Sequence, residues 1–577
     1  MAFQLSPGVL VTEQDLTSII PAVSTSAGAF AGVFQWGPVE QVTTVDSENK
    51  LVELFWKPND QTFTSFFTAA NFLSYGNNLQ VVRAGNANFK NAVANAATSG
   101  GALTSTVSNV YIKNSDDYIG SYSSGVSSLQ SNVCFIAKYS GNLGNSLKIS
   151  MCDRPGWNNW SYSTYFDASP NTSSYAATYG GVDDELHIIV IDEDGTFSGT
   201  AGQILERFPF VSYASDAKRS DGTNLYYKDV INNSSKYLWW GGHHPNVSST
   251  AGLVAANRTF ASLGANANVT ISMGGGIGGN VSSTNADLQN AWILFNNDEL
   301  YDISLIPTGA VNSTVAQYIV NNVAETRKDC VAFISPELSD VVAVTSTSTA
   351  VTNTTDYRNN SLNLNTSYAV MDSGWKYQYD RYNDVYRWVP LNGDIAGLCA
   401  RTDFTNDPWF SPAGFNRGQI KNVVKLAYSP TKTDRDNLYK SGINPVVSFP
   451  GQGTVLFGDK TMLTKPSSFD RINVRRLFIT LEKAIATAAK FQLFEFNDAF
   501  TRAQFRNLVE PFLRDVQGRR GITDFKVVCD ETNNTGEVID RNEFVADIFI
   551  KPARSINYIS LNFIATRTGI SFEEVGA

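Results

Sequence analysis

The chain has 577 residues, of which 42% are hydrophobic, 12% aromatic and only 17% charged, enough apolar material for several cores and too little charge for a disordered protein. Its formal net charge of −10 argues against nucleic acid as the main partner, because phosphate binding needs a basic surface. No apolar run reaches the roughly 18 residues that a membrane-spanning helix requires, and the opening Met-Ala-Phe-Gln-Leu-Ser-Pro-Gly lacks the basic-then-apolar pattern of a signal peptide.

Residues 1–22 read as a short extended arm. Val9-Leu10-Val11 is β-prone and Pro7 and Pro21 bracket it. Too short to hold a core, the arm must pack on something else. Residues 23–90 read as α/β. Ala27 to Phe34 is a strand of small apolar residues closed by the turn Trp36-Gly37-Pro38. Phe63, Phe66, Phe67, Ala70 and Leu73 fall on one face of a helix, and Leu79 to Arg83 is a strand. Residues 91–200 turn to Asn, Ser, Gly, Thr and Tyr with short β runs at Val133–Ile136 and Leu186–Ile191. Asp194-Gly195 is a hairpin signal after the second run. This β-rich insertion continues with mixed structure over 201–299.

The α/β pattern returns near Asp302. A strand at Ile303–Ile306, a helix from Val315 to Arg327 and a strand at Cys330–Ile334 predict parallel pairing, in the sheet begun at residue 27. The Ser/Thr/Asn-rich stretch 345–368 is expected to be a loop. Further on, Val474, Leu477, Phe478, Leu481, Ile485 and Ala488 form one helical stripe, and Phe505, Leu508, Val509, Phe512, Leu513 and Val516 a second. Thr501 and Gln504 suit a capping box at the start of the second helix, Gly518 suits its C-cap, and Pro511 predicts a kink. Strands are expected at Phe525–Cys529, Phe544–Ile550 and Ile556–Ile564. The expected fold class is therefore α/β in a multidomain α+β chain, with a discontinuous core over 23–90 and 300–400, insertions at 91–200 and 201–299, a C-terminal domain at 401–555 and a terminal arm at 556–577.

Charge is uneven along this plan. Residues 1–400 carry 20 Lys and Arg against 34 Asp and Glu, whereas residues 401–577 carry 24 against 20. Either the C-terminal part faces an acidic partner while the rest faces water, or the split is a chance fluctuation.

Catalytic and metal chemistry is sparse. The five cysteines (Cys134, Cys152, Cys330, Cys399 and Cys529) form no CxxC pair and read as buried reduced thiols. His187 lies inside an apolar strand and reads as structural. His243-His244 could bind a metal, but adjacent residues seldom reach one ion and no ligand cluster is nearby. Gly274, Gly276 and Gly279 spell GxGxxG after an apolar run, with Asp298 further on. The poor helix start at Asn280 favours a structural turn over a dinucleotide cradle. Asp183-Asp184-Glu185 and Asp192-Glu193-Asp194 do not match a calcium loop and read as a solvated acidic edge. No catalytic residue, cofactor site or metal site is assigned.

A large chain short of catalytic groups, with an extended segment at each end and a basic C-terminal part, fits a structural polymer subunit. Extended segments can add strands to a neighbour's sheet, and heterologous contacts that do not close produce helical filaments.

Several stretches carry a family likeness. They are Ser6-Pro-Gly-Val-Leu-Val-Thr-Glu13, Ala29 to Pro38, Gly274 to Gly279 with Asn285-Ala-Asp287 and Asp302 to Ile306, Ser441-Gly-Ile-Asn-Pro445, Gly451-Gln-Gly453, Phe457 to Thr461, and Phe494-Glu-Phe-Asn-Asp498 with the helix after it. In this order the sequence resembles a tail sheath protein of contractile-tailed, myovirus-type bacteriophages, least so over 91–270. The resemblance implies a structural subunit, not an enzyme, with no cofactor. It would polymerise helically around an inner tail tube in a metastable extended state, then contract to drive the tube through the host envelope. No nucleotide needs to be hydrolysed, because the energy is stored at assembly.

The resemblance implies self-association, contacts with the tube protein, the baseplate and a tail terminator, no direct contact with nucleic acid and no membrane insertion. It implies a place in the virion tail after assembly in the host cytoplasm. Residues 1–20 and 556–577 would be arms joining neighbours, through Val9, Leu10 and Val11 and through Ile559, Leu561 and Phe563, which alternate on one face. Arg417, Lys421, Lys425, Lys432, Arg435 and Lys440 would face an acidic tube, and the insertion would lie outside. The competing readings are a sheath from a bacterial contractile injection particle and, from another class, a nucleotide-binding enzyme using the Gly274–Gly279 loop.

Overall fold

The run Gly-Ala-Phe-Ala-Gly forms strand β1 (Gly28–Gly32), buried along its whole length. Its glycines are there for close packing. A Cβ on Gly28 would lie 2.6 Å from the ring of Phe72, and one on Gly32 would lie 2.7 Å from Ser65 Oγ. Both neighbours sit on helix α1 (Phe63–Leu73), which therefore lies tight against the strand. The computed structural model describes residues 24–96, 108–126, 132–264, 268–278, 283–557 and 560. Ser24–Thr405 and Pro412–Lys465 form one compact unit, and Asn406–Ser411 with the chain from Pro466 forms another.

In the larger unit β1 is the fifth strand of a seven-stranded sheet. Along the chain the others are β2 (Thr43–Val45), β3 (Leu79–Arg83), β4 (Leu305–Pro307), β5 (Val331–Ile334), β6 (Ala369–Asp372) and β7 (Ile443–Asn444), in the spatial order β7-β6-β5-β4-β1-β3-β2. All neighbours are parallel except β2 with β3. Gly28 pairs with Leu305, so the strand at 305 does join the sheet begun near residue 27 and the chain between β3 and β4 interrupts one domain. A second helix, α2 (Asn392–Thr405), packs on α1 and on β4, β5 and β6. Contact with both the sheet and α2 buries every residue of α1 from Ser65 to Leu73, not the single stripe that periodicity predicts. At the α1–α2 crossing a Cβ on Gly393 would lie 2.5 Å from the Thr68 carbonyl oxygen.

The stretch 345–368 is largely not a loop. Thr347–Asp356 is an α-helix that runs on through Tyr357–Leu362 as a π-turn. Ser346 caps it by accepting the Thr349 N–H. The hydroxyls of Thr352, Thr354 and Thr355 each bond the carbonyl four residues back. Ala350, Val351 and Thr354 are buried. A good cap and a buried stripe outweigh the weak intrinsic helix preference of threonine and asparagine.

The insertion builds two antiparallel sheets. One has the order Val269–Ser272, Leu147–Asp153, Glu185–Asp192, Gln203–Ser212; the other is Val93–Asn95, Val133–Ala137, Leu238–Trp240. Arg83, the last residue of β3, fastens it to the core. Its buried guanidinium donates to Phe34 O (3.0 Å), Gly37 O (2.8 Å) and Gln35 O (3.3 Å) in the core turn, and to Ser140 O (2.8 Å) in the insertion. Burial pulls it down to about 9, so it remains charged at neutral pH.

In the smaller unit, α3 (Ile472–Ala489) and α4 (Ala499–Gly518) pack with Trp409 around Leu477, Leu481, Phe505, Val509 and Leu513. The cap of α4 is Asp498, which accepts the Thr501 N–H at 2.8 Å, not a box at Thr501. Helix α4 includes Pro511. Gly518 is helical, and Arg520 takes the left-handed turn instead (φ 68°). Strands β8 (Ile522–Val528) and β9 (Asp547–Pro552) form an antiparallel pair. Within the expected strand Ile556–Ile564, residues 556 and 557 are not in a strand, and most of the rest lies outside the described residues.

Candidate assembly surfaces

Open parallel sheets bind ligands at the C-terminal strand ends where the strand order reverses, here between β1 and β4. This sheet fills that position with its own side chain. Asn392, at the start of α2, donates from Nδ2 to Gly309 O (2.9 Å) and accepts the Gly309 N–H (3.1 Å). Its own N–H donates to Ser335 Oγ (3.1 Å), which donates to Asp372 (2.7 Å). Burial pushes the Asp372 carboxyl up to about 8. Nearby, Lys376 Nζ donates to Asp394 Oδ1 at 2.9 Å with both side chains fully buried, and Tyr75 donates to the same oxygen at 3.0 Å. Burial works against both charges, pulling the Lys376 ammonium down and pushing the Asp394 carboxyl up. Each compensates the other.

The glycine-rich loop is a structural turn. The Gly276 N–H donates to Asn145 Oδ1 (2.8 Å), the Gly278 N–H to Asn142 Oδ1 (2.8 Å) and the Gly274 N–H to Val93 O (3.1 Å). These N–H groups are thus occupied by protein acceptors, and a Cβ on Gly276 would lie 2.5 Å from Gly141 O; Gly279 lies outside the described residues. His187 is structural, as expected. Its Nδ1 accepts the Phe210 N–H (3.0 Å), which leaves Nε2 to donate to Ala168 O (2.9 Å). Tyr227 O–H lies 2.6 Å from His243 Nδ1, and burial holds that imidazole down to about 4. All five cysteines are buried. Among the described residues no group of three or more His, Cys, Asp or Glu could hold a metal ion.

The acidic runs are solvated only in part: Asp194 is exposed and Asp183 half-exposed, whereas the middle of one run and the start of the other turn inward. Asp184 is buried and accepts from Ser173 N, Ser173 Oγ and Ser212 Oγ. Asp192 is buried and accepts from Ser146 Oγ (2.7 Å) and from the N–H and hydroxyl of Ser198 (2.7 and 2.8 Å). Serine side chains and backbone N–H groups make burial tolerable, and nothing in the charge run itself signals them.

The excess positive charge of the C-terminal part lies between residues 401 and 465, with nine Lys and Arg against five Asp and Glu. Residues 412–465 belong to the larger unit. There three of the six basic candidates stand on three different aromatic supports. Lys421 donates to Ser74 O (2.5 Å) and lies over the Tyr75 ring. Lys425 lies over Tyr377 and Trp388, on the hairpin Trp375–Asp380 and Val385–Pro390. Arg435 lies over Phe449 and Phe457. Lys432 and Lys440 extend from the helix Lys432–Lys440 with exposed side chains. Arg417 is half-buried, and burial lowers it. Three of the six bases are thus held by different rings, and Lys432, Arg435 and Lys440 share one helix.

Two surfaces of the smaller unit are open to partners. The loop between α3 and α4, with the first turn of α4, exposes Phe491, Leu493, Phe494, Phe496 and Phe500, each 63–104% accessible. Monomeric proteins rarely leave such a patch uncovered. Its residues have neither helical nor strand periodicity, so pattern reading does not flag it. Strands β8 and β9 pair with each other and, among the described residues, with no third strand. The arm residues Val9, Leu10, Val11, Ile559, Leu561 and Phe563 lie outside the described residues.

Comparison with known proteins gives the family. The phage tail sheath protein central domain matches residues 281–462, and the phage tail sheath C-terminal domain matches residues 464–566. The tail sheath protein of Vibrio phage KVP40 is 37% identical, and that of Enterobacteria phage T4 35% identical, each over 99% of both chains. The crystal structure of a sheath tail protein from Listeria innocua shares the fold at 11% identity, covering 92% of this chain and 96% of the other with a TM-score of 0.50. Matched by two sheath domains and by full-length relatives at 35–37% identity, the chain belongs to the phage tail sheath proteins, the structural subunits of contractile tails.

Proposed function

We propose that copies of this chain polymerise helically around an inner tail tube from a baseplate, are closed off by a tail terminator, and are assembled in the host cytoplasm in an extended state that later contracts. The work of contraction comes from exchanging one set of subunit contacts for another. The observation that carries the reading is the β8–β9 pair. Among the described residues it offers unpaired strand edges, and strand addition gives affinity through main-chain hydrogen bonds and specificity through alternate side chains. The segments that fit are residues 1–20, with Val9, Leu10 and Val11, and residues 556–577, with Ile559, Leu561 and Phe563, from neighbouring copies. Deleting residues 1–20 is expected to leave a folded monomer that forms no striated tubes by negative-stain electron microscopy. Normal tubes from that variant would reject the arm reading.

The insertion faces outward and the C-terminal part inward on this reading. Lys432 and Lys440, exposed and unpaired among the described residues, are best placed of the six bases to meet an acidic tube. Lys432→Glu together with Lys440→Glu is expected to weaken co-assembly with the tube, most strongly at low salt. Co-assembly that is unchanged from low to high ionic strength would remove both residues from the tube contact.

A further inference from the structure

Two uncovered aromatic surfaces of this chain have opposite charge. The first is the Phe491–Phe500 loop. It is built, not slack. Asn497 donates from Nδ2 to Glu543 O (2.8 Å) and accepts from Arg502 (2.8 Å), and Asp498 caps α4. Phe494 is held at φ 70° and is fully exposed. A bulky residue in the left-handed region costs free energy, so the backbone holds this ring outward against its own preference. Glu495 and Asp498 place two negative charges among the rings.

The second surface is in the larger unit. Phe415, Phe449 and Phe457 form a cluster with ring centroids 5.2–6.0 Å apart. Phe415 is 50% and Phe457 42% exposed. Arg435 lies over Phe449 and Phe457 and has no carboxylate partner among the described residues. The cluster sits in the segment that holds nine bases against five acids.

We propose that the Phe491–Phe500 loop of one copy docks on the Phe415–Phe449–Phe457 cluster of a second copy, with Glu495 meeting Arg435. The inference rests on the reading of the chain as a self-associating subunit and adds one specific contact to it. Rings pack on rings away from water, the Glu495 carboxylate complements the Arg435 guanidinium, and the fixed foot of the loop lowers the ordering cost. Because the two surfaces differ, the contact is heterologous and propagates instead of closing.

The test is cysteine cross-linking in the full-length chain, whose own five cysteines are buried. Phe494→Cys with Phe449→Cys, assembled and treated with a short bismaleimide, is expected to give a ladder of covalent oligomers that neither single variant gives. Tubes seen by electron microscopy that yield no ladder, or a link confined within one chain, would overturn the contact while leaving self-association standing. Should the cysteine pair prevent assembly, charge exchange replaces it. Glu495→Arg and Arg435→Glu are each expected to lower the assembled fraction several-fold and to restore it when combined, and two losses that simply add would overturn the contact. Failure of the unaltered chain to assemble under any condition would instead reject the reading beneath it.

Discussion

Arg83→Leu is expected to destabilise the larger unit by on the order of 4 kcal/mol, since each buried acceptor left without a donor costs about 1–3 kcal/mol. Four carbonyls depend on that guanidinium, three in the core turn and one in the insertion. Arg83→Lys is expected to recover only part of the loss, because an ammonium has three donors and no planar fork. Scanning calorimetry reads the effect as an earlier transition. Protease sensitivity of the insertion should rise with it, because the joint at Ser140 opens first. A transition at the unaltered temperature would show that the carbonyls find other donors.

Lys376→Met is expected to be comparably damaging, by roughly 3–5 kcal/mol, because it leaves the Asp394 carboxyl buried with Tyr75 as its neutral partner. The pH dependence has a definite sign. Without the ammonium the folded protein holds the Asp394 proton more tightly than the unfolded chain does. The variant is therefore least impaired below about pH 4 and loses stability as pH rises above it. The double variant Lys376→Met with Asp394→Leu is expected to regain most of the stability, since the pair's attraction mainly offsets its own desolvation. Unfolding measured at pH 5 and pH 8 decides the matter. A single variant equally stable at both would mean that Asp394 stays charged without its partner.

Where burial follows from one-dimensional pattern, the sequence was legible. Helix α1 and strand β3 begin and end at the residues that apolar spacing indicates, and the crossover from β4 to β5 is parallel as its length requires. What pattern could not show was side-chain rescue. Thr354 and its neighbours keep a helix going with hydroxyls, and Ser173, Ser146 and Ser198 keep aspartates inside. Both depend on partners that only the folded chain brings near. The candidate surfaces were harder still. Charge counting found the basic segment but not that Lys421, Lys425 and Arg435 each stand on a different aromatic support. The Phe491–Phe500 loop was visible only as a family motif, because exposure of apolar residues has no periodicity.

The seven-stranded sheet has a mechanical consequence. Buried strands clamped by helices are close-packed and barely compressible, and the one gap such a sheet could have offered is plugged by Asn392. The unit built on this sheet behaves as a brick, not a spring. Any change of shape in a tail built from it then has to come from joints outside this sheet, not from the sheet itself deforming.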